Sequence, residues 1–130
     1  HAKLALTKNL PANTSVSYGR LHTLNKPSRI GIISAGYGDA IPLHCGNQAS
    51  ALIRGRLYPI VGRVTMDQTL IDLTTGPNDL GNGETVTLIG EQNQQEIRLE
   101  TLAKHGKTIP WELLCSITKR VPRIYLTKRE

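Results

Sequence analysis

The chain has 130 residues and a formal net charge of +6, with no phenylalanine, one tryptophan and four tyrosines. This length fits a single domain with a real core, and the composition requires a core of Ile, Leu, Val and Ala. No apolar run approaches the ~18 residues that a membrane span needs, and the chain does not open with the apolar stretch of a secretory signal peptide. Apart from Lys119-Arg120 and Lys128-Arg129, the positive residues are scattered. They are not interleaved with aromatic residues, which favours a solvated basic surface over nucleic-acid binding.

Short apolar runs separated by turn residues predict a mostly β fold. Strands are predicted at residues 3–8, 15–23, 29–35, 50–53, 57–61, 68–73, 84–89 and 120–126. Helices are predicted at residues 97–107 and 111–115, where apolar residues have helical spacing and Pro110 suits a first helical position. We therefore expect a mainly β, Greek-key-like β barrel or sandwich with one or two short helices near residues 97–115. Because alternation begins already at residue 3, we also expect a domain cut out of a longer protein.

Cysteines, histidines and lysines do not form a recognisable catalytic set. Cys45 and Cys115 are far apart, and we expect reduced thiols in a cytoplasmic protein, with a disulfide between them as the open alternative. The histidines lack the spacing of metal ligands, and we predict no metal site. No lysine stands in a context typical of a Schiff base. The residues alone therefore predict a small β domain without complete catalytic machinery.

Three polar runs next to glycines are the candidates for chemistry. They are Val-Ser-Tyr-Gly-Arg at residues 16–20, Ala-Gly-Tyr-Gly-Asp at 35–39 and Gly-Arg-Val-Thr-Met-Asp-Gln at 62–68. A phenol can act as a general acid or base when a neighbouring group assists it, and Arg20 and His22 share a predicted strand face with Tyr18. The alternative is that these side chains merely line one face of a strand.

In this order and spacing, the three runs resemble the C-terminal domain of pyridoxal-phosphate-dependent alanine racemases, from about residue 3 to residue 127. The Arg-Val-Pro-Arg run at residues 120–123 resembles the closing strand of that family. In the family, an N-terminal (β/α)8 barrel holds pyridoxal 5'-phosphate on a lysine, and the C-terminal domain of one subunit closes the active site on the barrel of the other.

The resemblance implies that residues 1–130 are one domain of a larger isomerase, and that the cofactor-bearing barrel is absent from this chain. The implied activity is interconversion of L- and D-alanine, which provides D-alanine as a peptidoglycan precursor. The implied enzyme is a cytoplasmic homodimer with a small amino acid as substrate and no nucleic-acid or membrane partner. The isolated chain is expected to be inactive.

The resemblance also implies roles for single residues. Tyr18 matches the catalytic tyrosine, a general acid or base on the face of the substrate opposite the barrel's lysine. Met66 matches the residue whose backbone N–H meets the substrate carboxylate, and Tyr37 and Asp67 match neighbouring residues of the substrate site. The matches at the active-site entrance are Arg63, Ile109 and Trp111.

Some residues depart from the family pattern. Ala40 replaces a glycine, and Leu43 and His44 stand where an arginine is usual. Trp111 replaces a tyrosine that contacts the cofactor phosphate region and narrows the pocket. Two alternatives therefore stay open: a racemase for another small amino acid such as serine, and a non-catalytic dimerisation or binding module.

Overall fold

The computed structural model describes residues 1–126. Within them, the strands are β1 (Ala2–Leu10), β2 (Ser15–Val16), β3 (His22–Thr23), β4 (Ser28–Ile33), β5 (Ser50–Ile53), β6 (Arg56–Pro59), β7 (Thr69–Asp72), β8 (Thr85–Val86), β9 (Gly90–Gln92) and β10 (Gln95–Ile97). The α-helices are α1 (Leu99–His105) and α2 (Pro110–Cys115), and short 3-10 helices lie at Tyr18–Arg20, Tyr37–Asp39 and Leu43–Cys45. None of the helices in this part of the chain has the length and apolar character needed to cross a bilayer.

Six of these strands form a closed antiparallel barrel. A four-stranded sheet runs in the order β7-β4-β1-β8, and the β5–β6 hairpin joins its two edges through the bridges Leu52–Thr87 and Ile60–Ile71. The hydrogen-bonded circuit β1-β4-β7-β6-β5-β8 thus returns to β1 and leaves no open edge. The prediction of a mainly β barrel with two short helices near residues 97–115 is confirmed.

The barrel encloses the aliphatic core that the composition requires. Its fully buried side chains include Ile33 of β4, Leu52 of β5 and Ile71 of β7, and Leu102 and Leu113 bring both helices onto the same cluster. Tyr58 is the one fully buried aromatic side chain among the described residues.

The prediction of one continuous strand over residues 15–23 is wrong. β2 and β3 pair with each other as the two arms of a hairpin, and the 3-10 turn Tyr18–Arg20 forms its tip. The φ angles of Ser17, Gly19 and Arg20 are 69°, 72° and 49°, which an extended strand does not contain. Arg20 and His22 therefore do not share a strand face with Tyr18.

The predicted closing strand at residues 120–126 is also wrong, since these residues form no ladder with the described part of the chain. Pro122 has no N–H to donate, and the Val121 N–H donates to the Thr118 carbonyl within a local turn. The β9–β10 hairpin was not predicted, because its residues are mostly polar and its turn, Asn93-Gln94, lacks the glycine typical of such turns.

Candidate functional site

Two of the three polar runs leave the barrel side by side. Ile33, the last residue of β4, pairs with Thr69, the first residue of β7, so the segment after β4 and the segment before β7 start at the same end of the sheet. We call residues 36–39 the tyrosine turn and residues 65–68 the methionine turn. The N–H groups of Tyr37 and Gly38 donate to the carbonyls of Thr65 and Met66, both at 2.9 Å.

The glycines of the tyrosine turn are required by close contact between the two backbones. A Cβ on Gly36 would lie 2.0 Å from the Thr65 carbonyl oxygen, and a Cβ on Gly38 would lie 3.0 Å from that of Met66. Gly36 has a φ of −146°, which other residues also adopt. The Gly-Tyr-Gly spacing thus allows the two turns to touch, while Tyr37 between the two glycines stays half exposed.

The methionine turn is closed by its own first residue. The N–H and hydroxyl of Thr65 both donate to the Gln68 carbonyl at 3.0 Å, and the Gln68 N–H donates to the Thr65 hydroxyl at 3.2 Å. Met66 and Asp67 lie at the tip. Within residues 1–126 the Met66 N–H makes no hydrogen bond, so this donor is available to a ligand.

Ser17 holds the hairpin tip that carries Tyr18. Its hydroxyl accepts a hydrogen bond from the Arg63 N–H at 2.5 Å and donates to the Arg63 carbonyl at 3.2 Å. A Cβ on Gly62 would lie 2.5 Å from the Ser17 Cβ, so Gly62 permits this approach. Ser17 itself has φ 69° and ψ 170°, a backbone region almost confined to glycine and one that marks functional sites when other residues occupy it.

An open cleft of about 770 Å³ lies between the hairpin tip and the two turns. The structure brings five of the predicted site residues together along its wall: Tyr18, Tyr37, Arg63, Met66 and Asp67. Leu43, Val64, Thr65 and Gln68 complete the lining. The Tyr18 side chain is 72% exposed, and its hydroxyl bonds to no other described residue.

Ile109 and Trp111 do not line this cleft. Both are exposed at the start of α2, where Ile109 precedes the helix and Trp111 is its second residue. A second cavity of about 300 Å³ lies between the cleft and the start of α2. Its lining includes Tyr37 together with Glu112 and Leu113 of α2. The two predicted entrance residues at the start of α2 are therefore placed on an adjoining surface.

Sequence reasoning missed Arg120 as a site residue. Its guanidinium Nε lies 3.2 Å from Asp39 Oδ1, and its Nη2 lies 2.5 Å from Asp67 Oδ1. The hydrogen bond to Asp67, followed by the charge of Asp39, raises the pKa of Arg120 above its usual value. Asp67 and Arg120 are 53 positions apart, so no local pattern in the sequence could have connected them.

The described lining of the cleft offers groups with the chemistry to donate hydrogen bonds and exchange protons, but no lysine that could hold a cofactor covalently. Among residues 1–126, its wall offers two phenols, the free Met66 N–H and the Arg63 guanidinium. Within residues 1–126 no three metal-ligating side chains come together. The described lining of this cleft therefore does not provide the lysine that a Schiff-base cofactor needs.

Comparisons of the sequence with a family model and with known proteins identify the same family. Residues 1–125 match the protein-family model described as "Alanine racemase, C-terminal domain". The chain is 42% identical over 128 residues to alanine racemase 2 of Caldanaerobacter subterraneus subsp. tengcongensis, with 98% of this chain and 33% of that protein covered.

Solved structures agree. The chain superposes with a TM-score of 0.89 and 33% identity on alanine racemase from Bacillus anthracis with bound L-Ala-P, covering 98% of this chain and 32% of that one. The TM-score is 0.88, at 31% identity, for alanine racemase from Bartonella henselae with covalently bound pyridoxal phosphate, covering 95% and 33% of the two chains. The chain thus spans about a third of the length of the relatives it matches.

Proposed function

The chain belongs to the family of alanine racemase C-terminal domains, and from this premise we propose that the protein that carries it interconverts L- and D-alanine. The observation that carries the proposal is the open cleft, because it gathers Tyr18, Tyr37 and Met66 from three separate segments. The two alternatives, a racemase for serine and a non-catalytic module, are less favoured because the relatives are named alanine racemases.

We assign the proton transfer to Tyr18. Racemisation requires that a proton leaves one face of Cα and that another arrives at the opposite face, so two acid/base groups must flank the substrate. The Tyr18 hydroxyl can serve as one of them, because its ring projects from a tip held by Ser17 while the hydroxyl bonds to no other described residue. The second group would come from outside this chain.

We assign substrate orientation to the methionine turn. The Met66 N–H is free within the described residues, and backbone N–H groups in turns are suitable donors to a carboxylate. Tyr37 and Arg63 line the same cleft. A small amino acid bound by its carboxylate at Met66 would present Cα towards the hairpin tip.

Pyridoxal 5'-phosphate would belong to the part of the protein that this chain does not span. The structure of the Bartonella henselae relative has this cofactor covalently bound, whereas no lysine of residues 1–126 lines the cleft described above. When bound, the cofactor delocalises the negative charge left on Cα. This chain would contribute the Tyr18 phenol and the Met66 N–H, which can donate a hydrogen bond to the substrate carboxylate.

We further propose that the cleft is closed by the barrel domain of a second subunit in a cytoplasmic homodimer. Tyr18 and Met66 on the cleft, and Ile109 and Trp111 on the adjoining surface, are all at least half exposed, and large apolar side chains exposed together are typical of interaction surfaces. Both cysteines are free thiols, one buried and one exposed, as is common for proteins of a reducing compartment.

The experiment that tests this function measures D-alanine formation from L-alanine. The full-length protein should racemise alanine faster than serine, as followed by chiral chromatography. The present chain and a separately produced barrel should each be inactive and should regain activity on mixing. A full-length protein that leaves alanine unchanged, or prefers serine, would contradict the proposal.

A further inference from the structure

Arg120 links the two turns that form the cleft. Its Nε contacts Asp39 of the tyrosine turn at 3.2 Å, and its Nη2 contacts Asp67 of the methionine turn at 2.5 Å. A Cβ on Gly38 would lie 2.7 Å from the Nη1 atom of Arg120. A planar guanidinium can donate to two carboxylates in fixed directions, which a lysine cannot do.

The contact does more than join two surface residues. Asp39 is mostly buried, with its side chain 16% exposed, and its second oxygen, Oδ2, accepts the Gly36 N–H at 3.1 Å. The bridge therefore runs from the backbone of the tyrosine turn, through Asp39 and Arg120, to Asp67. It adds a charged link to the two backbone hydrogen bonds between the turns.

The charges around the methionine turn create a difficulty for an anionic ligand. Asp67 follows Met66 directly, and Asp39 lies across the same interface, so two carboxylates stand close to the N–H that would receive a substrate carboxylate. Like charges at such short range oppose binding. Arg120 contacts both carboxylates from outside the cleft lining, and Arg63 is the cationic residue that lines the cleft itself among residues 1–126.

We propose that Arg120 is a positioning residue for carboxylate binding: it holds the methionine turn against the tyrosine turn and offsets the charges of Asp39 and Asp67. The role in substrate binding rests on the function proposed above. The link between the turns does not, because it follows from the geometry alone.

The test uses the full-length protein and the variant Arg120→Gln, which keeps the length of the side chain and removes its charge. The KM for alanine should rise about three- to ten-fold, as expected for loss of a partly exposed charge contact, while kcat stays within about two-fold. Arg120→Lys should show a smaller rise in KM. Adding Asp67→Asn to Arg120→Gln should restore most of the lost affinity, because the unpaired carboxylate is removed.

A matched control is Arg54→Gln. Arg54 also bridges two carboxylates, those of Asp79 and Glu84, and is exposed to a similar extent, but none of these residues lines the cleft. This variant should leave KM unchanged. Hydrogen exchange gives a second readout: Arg120→Gln should increase deuterium uptake in residues 36–39 and 65–68, and Arg54→Gln should not.

The outcomes separate the two claims. An unchanged KM in Arg120→Gln, or a double variant no better than Arg120→Gln, would overturn the charge role, and unchanged exchange in both turns would overturn the positioning role. If Arg120→Gln does not fold, the KM for alanine and the deuterium uptake of the two turns are measured on Arg120→Lys instead. A wild-type protein without racemase activity would refute the proposed function, and the exchange comparison would still decide whether Arg120 links the turns.

Discussion

Replacing Tyr18 by phenylalanine is the most direct test of the proposed chemistry. The change removes one oxygen and retains the ring. The side chain is 72% exposed, and its hydroxyl makes no hydrogen bond within residues 1–126, so no buried partner is left unsatisfied. We therefore expect the free energy of unfolding to change by less than about 0.5 kcal/mol.

The expected loss of activity is much larger. A positioned acid/base group contributes roughly 10²- to 10⁴-fold to the rate, which corresponds to about 3–5 kcal/mol in the activation free energy. The equilibrium constant of a racemisation is one, so kcat/KM must fall by the same factor for L- and D-alanine. Unequal losses would indicate an artefact of the assay.

Proton exchange distinguishes a lost base from a general loss of binding. In D2O, the Tyr18→Phe protein should still exchange the α-proton of one enantiomer through the remaining base, and this exchange should be faster than racemisation. Tyr125→Phe is the matched control, because Tyr125 is exposed and does not line the cleft. If Tyr18→Phe racemises alanine within about three-fold of the wild-type rate, the assignment of Tyr18 is wrong.

Two further predictions concern stability. Gly36→Ala should lower the melting temperature substantially and reduce activity, because the new Cβ would lie 2.0 Å from the Thr65 carbonyl oxygen. The free energy of unfolding should fall by about 1–3 kcal/mol or more. Gly81→Ala is the near-neutral control, because its Cβ would have no atom nearer than 3.9 Å. Arg54 lowers the pKa of Asp79 below its ordinary value of 3.8 by a side-chain hydrogen bond, so this stabilisation is present above that pH and is lost as the pH falls through the lower native value. The difference in melting temperature between wild type and Arg54→Gln should therefore shrink under acid conditions, and a difference that grows there would contradict the reasoning.

The sequence predicted the elements whose structure is decided by nearby residues. The β5–β6 hairpin follows from Arg54-Gly55, whose φ angles of 50° and 78° are those of a two-residue turn that matches strand twist. The helix α2 begins at Pro110 because proline has no N–H to leave unsatisfied at that position. β4 and β7 follow from short runs of β-branched residues between turns.

Contacts between distant residues decided the parts that were predicted wrongly. Residues 15–23 have the composition of a strand, but the positive φ of Ser17 is maintained by hydrogen bonds to Arg63, 46 positions away. Arg120 was predicted to begin a closing strand, and its link to the site was missed because its partners Asp39 and Asp67 come from earlier turns. Neither arrangement leaves a periodic signal in the sequence.

At the hairpin tip, Ser17 makes the contacts that hold the backbone, and Tyr18 presents an exposed side chain. The backbone conformation of Ser17 costs on the order of 1–3 kcal/mol, and its two hydrogen bonds to Arg63 offset that cost. Tyr18 is thus held by its neighbour and not by contacts of its own ring, which leaves the phenol hydroxyl free for another molecule. A phenol so placed lacks a described partner that could activate it. We therefore expect the groups that make it reactive to come from the domain that would close the cleft, and we predict that activity requires both the tyrosine and that domain.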